Sequence, residues 1–486
     1  MDISNPPDVG WLSIIPPVLA IGLAIRTKQV YLSLGLYIFL AWTILNSWNP
    51  LQGLIYSLNT FVMSVTVGSI SGGAADLGNA RTLLFSALVG SMITLTQRSG
   101  GMEGFVNWVE RRGLAATRRS VGFMTTLVSL CIFLESNFGL LVSGSVARPL
   151  FDKVRISREK LSYIIDATCA PKCILIPLNG WGAYLIALLA AQQIDTPVAL
   201  ILAAIPFNFY AILALVQVGA VILFDWNVGP MREAERRVRE EGKLLRDGAE
   251  PLVAAEVSAL ESKPGVPARA FNMVAPVVTM VLMVPFIMWL TGDGDMTRGS
   301  GSEAVLWGVI AGLLVAGTAY LAQGIMSVKE LTDYAIQGIQ GLIPLVLVLA
   351  LAFTIGNTTR VLGTGEFLAQ AAQSTLHTGF IPAILFLLAC FIAFSTGTSW
   401  GTFAIMIPIV IPMIELLGLH PGLTIAAALG GGIFGDHCSP ISDSTIVASM
   451  AAATDHIDHV RTQLPYALQA AAASLVLFLI AGFVLN

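Results

Sequence analysis

The 486-residue sequence predicts an all-α polytopic membrane protein, and three observations carry that prediction. Charged residues make up 12% of the chain, against about 25% in a soluble globular domain. Hydrophobic residues make up 55%, and the mean hydropathy is +0.78. Apolar runs near the length that crosses a bilayer, about 20 residues, recur from end to end, enough for about ten to thirteen transmembrane helices. Examples are "APVVTMVLMVPFIMWL" (275–290) and "ALQAAAASLVLFLIAGFVL" (467–485). The alternating segments of an outer-membrane barrel are absent from the pattern.

The elements follow in order. Residues 1–10 contain Asp2 and Asp8 but no lysine or arginine, so the basic start of a cleavable signal peptide is missing. The first span is expected to stay in the membrane. Basic residues then gather in clusters: Arg26 and Lys28; Arg98, Arg111, Arg112, Arg118 and Arg119; Arg148, Lys153, Arg155, Arg158 and Lys160; and the stretch 225–270. The positive-inside rule puts these loops in the cytoplasm and the N-terminus outside. "MREAERRVREEGKLL" (231–245) mixes both signs at helical spacing and reads as a solvated helix in a connecting loop. Three parts are expected: a first membrane half, 1–224; a charged cytoplasmic connector, 225–270; and a second membrane half, 271–486.

The two halves share a pattern. In the first, "LESNFGLLVSGSVARP" (134–149) precedes "IDATCAPKCILIPLNGWGAY" (165–184). In the second, "STGTSWGTFAIMIPIVIP" (395–412) precedes "FGDHCSPISDSTIVASMAAA" (434–453). Each has a polar, glycine-bearing break, then an apolar run to proline, then an aspartate followed by Cys-(Ala/Ser)-Pro. Cys169-Ala170-Pro171 lines up with Cys438-Ser439-Pro440. Two matched blocks in one order point to an internal repeat, and inverted repeats with broken helices are the common plan of secondary transporters.

Proline and glycine interrupt helices, and free backbone groups at membrane depth must be buried or line a wet cavity. "CAPK" and "CSPIS" therefore read as hairpin tips or unwound turns. A carboxylate in a span costs about 3 kcal/mol on insertion scales and marks a functional position by default. Carboxylates and hydroxyls are also ligands for small hard cations. The candidates in the second half are Thr398, Ser399, Asp436, Ser439, Asp443 and Ser444, with Asp436 and Asp443 as Na+ ligands. Asp443 also suits a helix N-cap. His437 is either a pH sensor or a satisfied interior histidine. In the first half the candidates are Glu135, Ser136, Asn137, Asp166, Thr168 and Lys172, with Lys172 a possible partner of Glu135.

Other classes fit poorly. Cys438 and His437 are adjacent, so a helix points them apart, a poor geometry for nucleophile and base. Cys169-x-x-x-Cys173 lacks the spacing of a zinc or redox pair, and five cysteines in apolar segments do not suggest a disulfide framework. No phosphate-binding loop of the G-x-x-x-x-G-K-S/T type occurs, which argues against ATP-driven pumping. A channel is disfavoured by the duplicated broken-helix plan. The reading is not of an enzyme, and it includes no nucleic acid partner.

"GTSWGT", "FGDHCSPISDSTIVAS" and "RPLFDKVRISREKLSYIIDATCAPKCILIPLNGWGAY" resemble the NhaC family of sodium/proton antiporters, within the ion transporter superfamily. The likeness runs from about residue 30 onward and is densest at 130–185 and 395–455. It implies a secondary transporter of a prokaryotic inner membrane with no cofactor and with Na+, H+ or both as coupling ions. The alternative it implies is a coupled exchanger of a small organic solute such as a carboxylate or amino acid. It also implies a scaffold part and a transport part, re-entrant hairpins and broken helices near 135–145, 166–180, 395–402 and 436–446, elevator-like motion and a homodimer. The sequence departs from the family at Glu135-Ser136-Asn137-Phe138 and at Lys172, whose ammonium could stand in for a bound cation.

Overall fold

The structure is a computed structural model that describes residues 7–27, 29–66, 77–111, 117–132, 136–177, 179–192, 194, 196–251, 262–294, 299–440 and 442–486. Helices run almost throughout: α1 (Ile15–Thr27), α2 (Val30–Leu45), α3 (Pro50–Thr66), α4 (Gly78–Arg98), α5 (Gly101–Arg111), α6 (Arg118–Cys131), α7 (Ser136–Lys153), α8 (Arg158–Leu175), α9 (Gly180–Ala191), α10 (Pro197–Ala204), α11 (Phe209–Phe224) and α12 (Pro230–Glu241). After the connector follow α13 (Phe271–Thr291), α14 (Gly301–Ala322), α15 (Val328–Leu362), α16 (Thr364–Thr375), α17 (Ile381–Thr396), α18 (Ser399–Leu417), α19 (Pro421–Cys438), α20 (Asp443–Ala452) and α21 (His456–Leu485). Among the described residues five helical segments are long and apolar enough to span a membrane, or seven if two bent pairs each count as one. Short helices such as α9 and α20 and polar ones such as α8, which carries Arg158, Glu159, Lys160, Asp166 and Lys172, pack among them.

Helix breaks occur in both halves, each for a local reason. α17 ends at Gly397, whose φ of +70° is left-handed and whose N–H bonds Ala393 O. Only glycine adopts that conformation without steric penalty. α19 ends at Ser439, held extended by the proline that follows. α8 ends the same way at Ile176, ahead of Pro177. This corrects the sequence alignment. Cys169-Ala170-Pro171 lies inside α8, not at a break: Pro171 removes one backbone donor there, but the helix continues to Leu175. Pro177, like Pro440, follows a helix end, and each is followed by a polar N-cap position: Asn179 for α9 and Ser442 for α20. Ser442 also takes the cap expected of Asp443, which is the first helical residue.

Packing repeats between the halves. α6 and α7 both pack on α8, as α17 and α18 pack on α19. The short helices cross over: α20 packs on α7 and α8, and α9 packs on α18. Tyr184 of α9 donates to Trp400 O at 2.7 Å, and Trp181 meets Trp400 with ring centroids 5.0 Å apart. α11 and the long α21 pack against α8 and α19.

The connector helix is not a solvated spacer. Met231, Ala234, Glu235 and Val238 of α12 are buried. Glu235 accepts from Ser157 N at 2.8 Å and from the Arg118 guanidinium. Arg237 pairs with Glu159 at 2.7 Å, and Arg246 with Asp458 at 3.0 Å. The mixed charges at helical spacing thus pin the connector to the ends of α6, α8 and α21.

Candidate ion-binding site

Asp436 lies in the last turn of α19 and is 3% exposed. Its Oδ2 accepts from Ser399 Oγ at 2.5 Å, and its Oδ1 accepts from Ser442 Oγ at 2.6 Å. Ser399 opens α18 and Ser442 caps α20, so one carboxylate joins two helix breaks. The Ser399 N–H also points at Oδ2, 3.4 Å away. The carboxylate therefore sits at two helix N-termini, where the positive ends of the backbone dipoles favour an anion. Ser442 Oγ lies 3.0 Å from Ser444 Oγ, extending the cluster of oxygens. Thr445 Oγ1 donates to the carbonyls of Asp436 and His437 at 3.4 Å.

Other predicted hydroxyls turn to the backbone. Ser439 donates to Phe394 O at 2.7 Å and Thr168 to Ile164 O at 2.6 Å. These bonds tie breaks and helices together. Thr398 caps the start of α18 in extended conformation and is half-buried.

Asp166, fully buried on α8, accepts from Gln463 Nε2 at 2.9 Å. The same amide donates to the carbonyl of His437. Gln463 thereby links the acid of the first half to the last turn of α19. His437 is buried, its Nδ1 lies 2.7 Å from Tyr210 OH, and its Nε2 has no hydrogen-bond partner among the described residues.

Lys172 is fully buried. Its Nζ donates to Ile132 O at 2.8 Å and to Ser129 O. These carbonyls belong to the C-terminal end of α6, the negative end of its dipole, and a cation there is favourable. Gly139 leaves the room: a Cβ on it would meet Nζ and Ile132 O at 3.0 Å. Ser136 opens α7 and is buried. Glu135 lies outside the described residues, as do the side chains of Asn137 and Asp443.

The expected residues thus fall into three places: Asp436 with Ser399, Ser442 and Ser444; Asp166 with Gln463 and the His437 carbonyl; and Lys172 at the end of α6. Tyr210, Ser449, His456, His459 and Gln463 were not anticipated. A signal existed in "HIDHVRTQ" (456–463), where two histidines and a glutamine recur at helical spacing.

Comparison with known proteins agrees with this architecture. Residues 181–483 match the Na+/H+ antiporter family. An uncharacterized protein of Haemophilus influenzae is 31% identical over 97% of this chain and 91% of its own length. The malate-2H(+)/Na(+)-lactate antiporter of Bacillus subtilis is 31% identical over 32% of this chain and 34% of its own. Among solved structures, Neisseria gonorrhoeae MtrF, described as illuminating a class of antimetabolite efflux pumps, superposes with a TM-score of 0.52. That likeness covers 90% of this chain and 85% of MtrF at 13% identity, so it speaks for the fold. An all-helical membrane fold and a family match over more than half of the chain converge on one assignment: the chain belongs to the Na+/H+ antiporter family and is a secondary antiporter.

Proposed function

We propose that the chain exchanges a small monovalent cation, Na+ first, for protons, and that Asp436 is the centre of the cation site. The observation that carries this reading is the carboxylate shared between Ser399 and Ser442, at the breaks that start α18 and α20. Hard oxygen donors held at helix interruptions suit a partly dehydrated cation. Asp443 and Ser444 open α20 beside them and join the proposed ligand set with Ser399 and Thr398. Asp166 is the proposed proton-carrying acid of the first half. Ser136, which opens α7, and its sequence neighbours Glu135 and Asn137 complete the proposed set of that half.

The matched packing of α6–α9 and α17–α20 supports an inverted repeat, and with it alternating access in which these helices move as a transport part against the rest. The protein is proposed to work as a homodimer in a prokaryotic inner membrane, with the connector in the cytoplasm.

Lys172 favours a second reading. An ammonium already occupies the carbonyls that a cation would use in the first half. The cargo would then be a small organic solute, coupled to protons or sodium. Proteoliposomes with an internal pH dye decide between them. Na+ or Li+ should collapse an imposed pH gradient. No response to any monovalent cation, with uptake of a labelled carboxylate or amino acid instead, would select the second reading.

A further inference from the structure

The start of α21 carries His456, His459 and Gln463 on one face, and they lie in hydrogen-bonding order between the connector and Asp166. His456 is half-buried, while His459 and Gln463 are fully buried. His456 Nε2 lies 2.8 Å from Pro440 O. His456 Nδ1 lies 3.0 Å from Ser449 Oγ, which lies 2.9 Å from His459 Nδ1. His459 Nε2 is 2.9 Å from Gln463 Oε1 and 3.7 Å from Asp166 Oδ2.

The acceptors fix where the hydrogens are. Pro440 O can only accept, so His456 Nε2 carries a hydrogen. The Gln463 amide nitrogen faces a carboxylate and a carbonyl, so its oxygen faces His459. His459 Nε2 therefore also carries a hydrogen. Both Nδ1 atoms then point at one serine oxygen, and that oxygen has one hydrogen. That hydrogen also has a competing acceptor, since the hydroxyl donates to Thr445 O at 2.8 Å, and even when it turns from that carbonyl it can serve only one ring. With two neutral rings, one Nδ1 lone pair is left facing an oxygen lone pair. One added proton removes the conflict: one imidazolium donates to Oγ, and Oγ donates to the other ring.

We infer that His456, Ser449 and His459 form a relay that holds one shared proton and passes it between the half-buried end at His456 and Asp166. The inference rests on the antiport reading above. In a transfer, the N–H bond of one ring breaks as an O–H bond forms at Ser449. The old O–H bond breaks as N–H forms on the other ring. One proton moves and no other reagent is consumed. From doubly protonated His459 the Nε2–H bond then breaks as an O–H bond forms at Asp166 Oδ2, 3.7 Å away, leaving the neutral ring with its hydrogen on Nδ1, while Gln463 holds both groups in place. The titratable and charged groups around the relay are Asp166, Glu159, Arg158 and Tyr163 of α8, His437 of α19 with Tyr210 of α11, and Asp455, Asp458 and Tyr466 at and within α21. Arg246 of the connector pairs with Asp458, and Arg158 donates to Ala453 O.

The chain has five histidines, so imidazole NMR of the 15N-histidine-labelled full chain in nanodiscs is tractable. His456 and His459 should take up one proton jointly on acidification. Ser449→Ala should split this into two independent titrations, and Ser449→Thr, which keeps the hydroxyl, should preserve it. In proteoliposomes Ser449→Ala should slow proton-driven exchange about a hundredfold, the lower end of what positioned proton transfer contributes. Independent ring titrations in the unmodified chain would overturn the relay. So would Ser449→Ala with an unaltered titration and unaltered exchange, and that result would leave the antiport reading intact. Rings that share a proton in a chain that moves no cation against protons would instead support the relay and sink the antiport reading.

Discussion

Replacing Asp436 by asparagine separates the charge of the site from its shape. The carboxylate accepts two serine hydroxyls, at 2.5 and 2.6 Å, across two helix breaks. Asparagine keeps one acceptor oxygen, and its amide can donate to whichever serine turns its lone pair inward. Hydrogen bonds to a charged group contribute about 1.5–3 kcal/mol and neutral ones about 0.5–1.5. The structural loss is therefore about 2 kcal/mol, and relief from burying a charge offsets part of it. Alanine would leave both hydroxyls without this acceptor at about 1–3 kcal/mol each, and would confuse misfolding with loss of function.

The functional loss is a separate quantity. A cation about 2.5 Å from a carboxylate oxygen, at an effective dielectric near 20, interacts by about 7 kcal/mol. Dehydration of the ion cancels much of this. If a third survives, the variant loses about 2 kcal/mol, or about thirtyfold in cation affinity. The assay is dye-reported proton efflux from proteoliposomes as a function of Na+, with thermal unfolding of the same sample. Asp436→Asn should unfold within a few degrees of the unmodified chain and show at least that loss. Exchange at the original rate, with the original half-saturating Na+ concentration, would refute the assignment of Asp436.

Three further outcomes follow from the geometry. Lys172→Val removes the donor to Ser129 O and Ile132 O, so thermal stability should fall by about 3 kcal/mol in choline salts, and Na+ should recover more of it than in the unmodified chain. Gly435→Ala places a Cβ 2.3 Å from Phe394 N, forcing α19 off α17; unfolding should come earlier by about 1–3 kcal/mol, and exchange should drop as Asp436 leaves Ser399. At Asp225, partial burial opposes the charge, but Lys160 and Arg239 outweigh it and hold the carboxyl below its usual range. That lowered value makes its stabilisation complete above about pH 4 and lost as pH falls further, so the melting temperatures of Asp225→Asn and the unmodified chain should differ at neutral pH and converge in strong acid.

Much of the site was legible in the sequence because hydrocarbon makes polar residues conspicuous. Asp436 and Ser399 stand out in apolar runs, and each sits beside a glycine or proline that ends a helix. The position of the first-half break was not legible. Pro171 and Pro177 look equally disruptive in one dimension, and only the second is followed by a capping asparagine bonded to Gly182 N. The connector misled for a related reason. Its charges suggest a solvated face, but Met231, Ala234 and Val238 form a narrow apolar stripe, and Glu235 beside them is buried by its partners on α6 and α8. The histidines of α21 read as the polar end of a span, because their partners, Ser449 and Asp166, are distant in sequence and meet them only after α8 and α20 pack.

The two halves solve one electrostatic problem with opposite signs. In the second half the break exposes helix N-termini, and a carboxylate occupies them. In the first half the break exposes the C-terminal carbonyls of α6, and an ammonium occupies those. A mobile cation in each half would face similar dipoles only if both sites kept an acid beside free carbonyls. With Lys172 in place, one of the two positions carries a charge that cannot leave with the cargo. Under the exchange proposed above, that fixed charge would hold the first half's geometry when the second half empties, leaving Asp166, linked to α19 through Gln463, as the proposed acid whose protonation answers cation release.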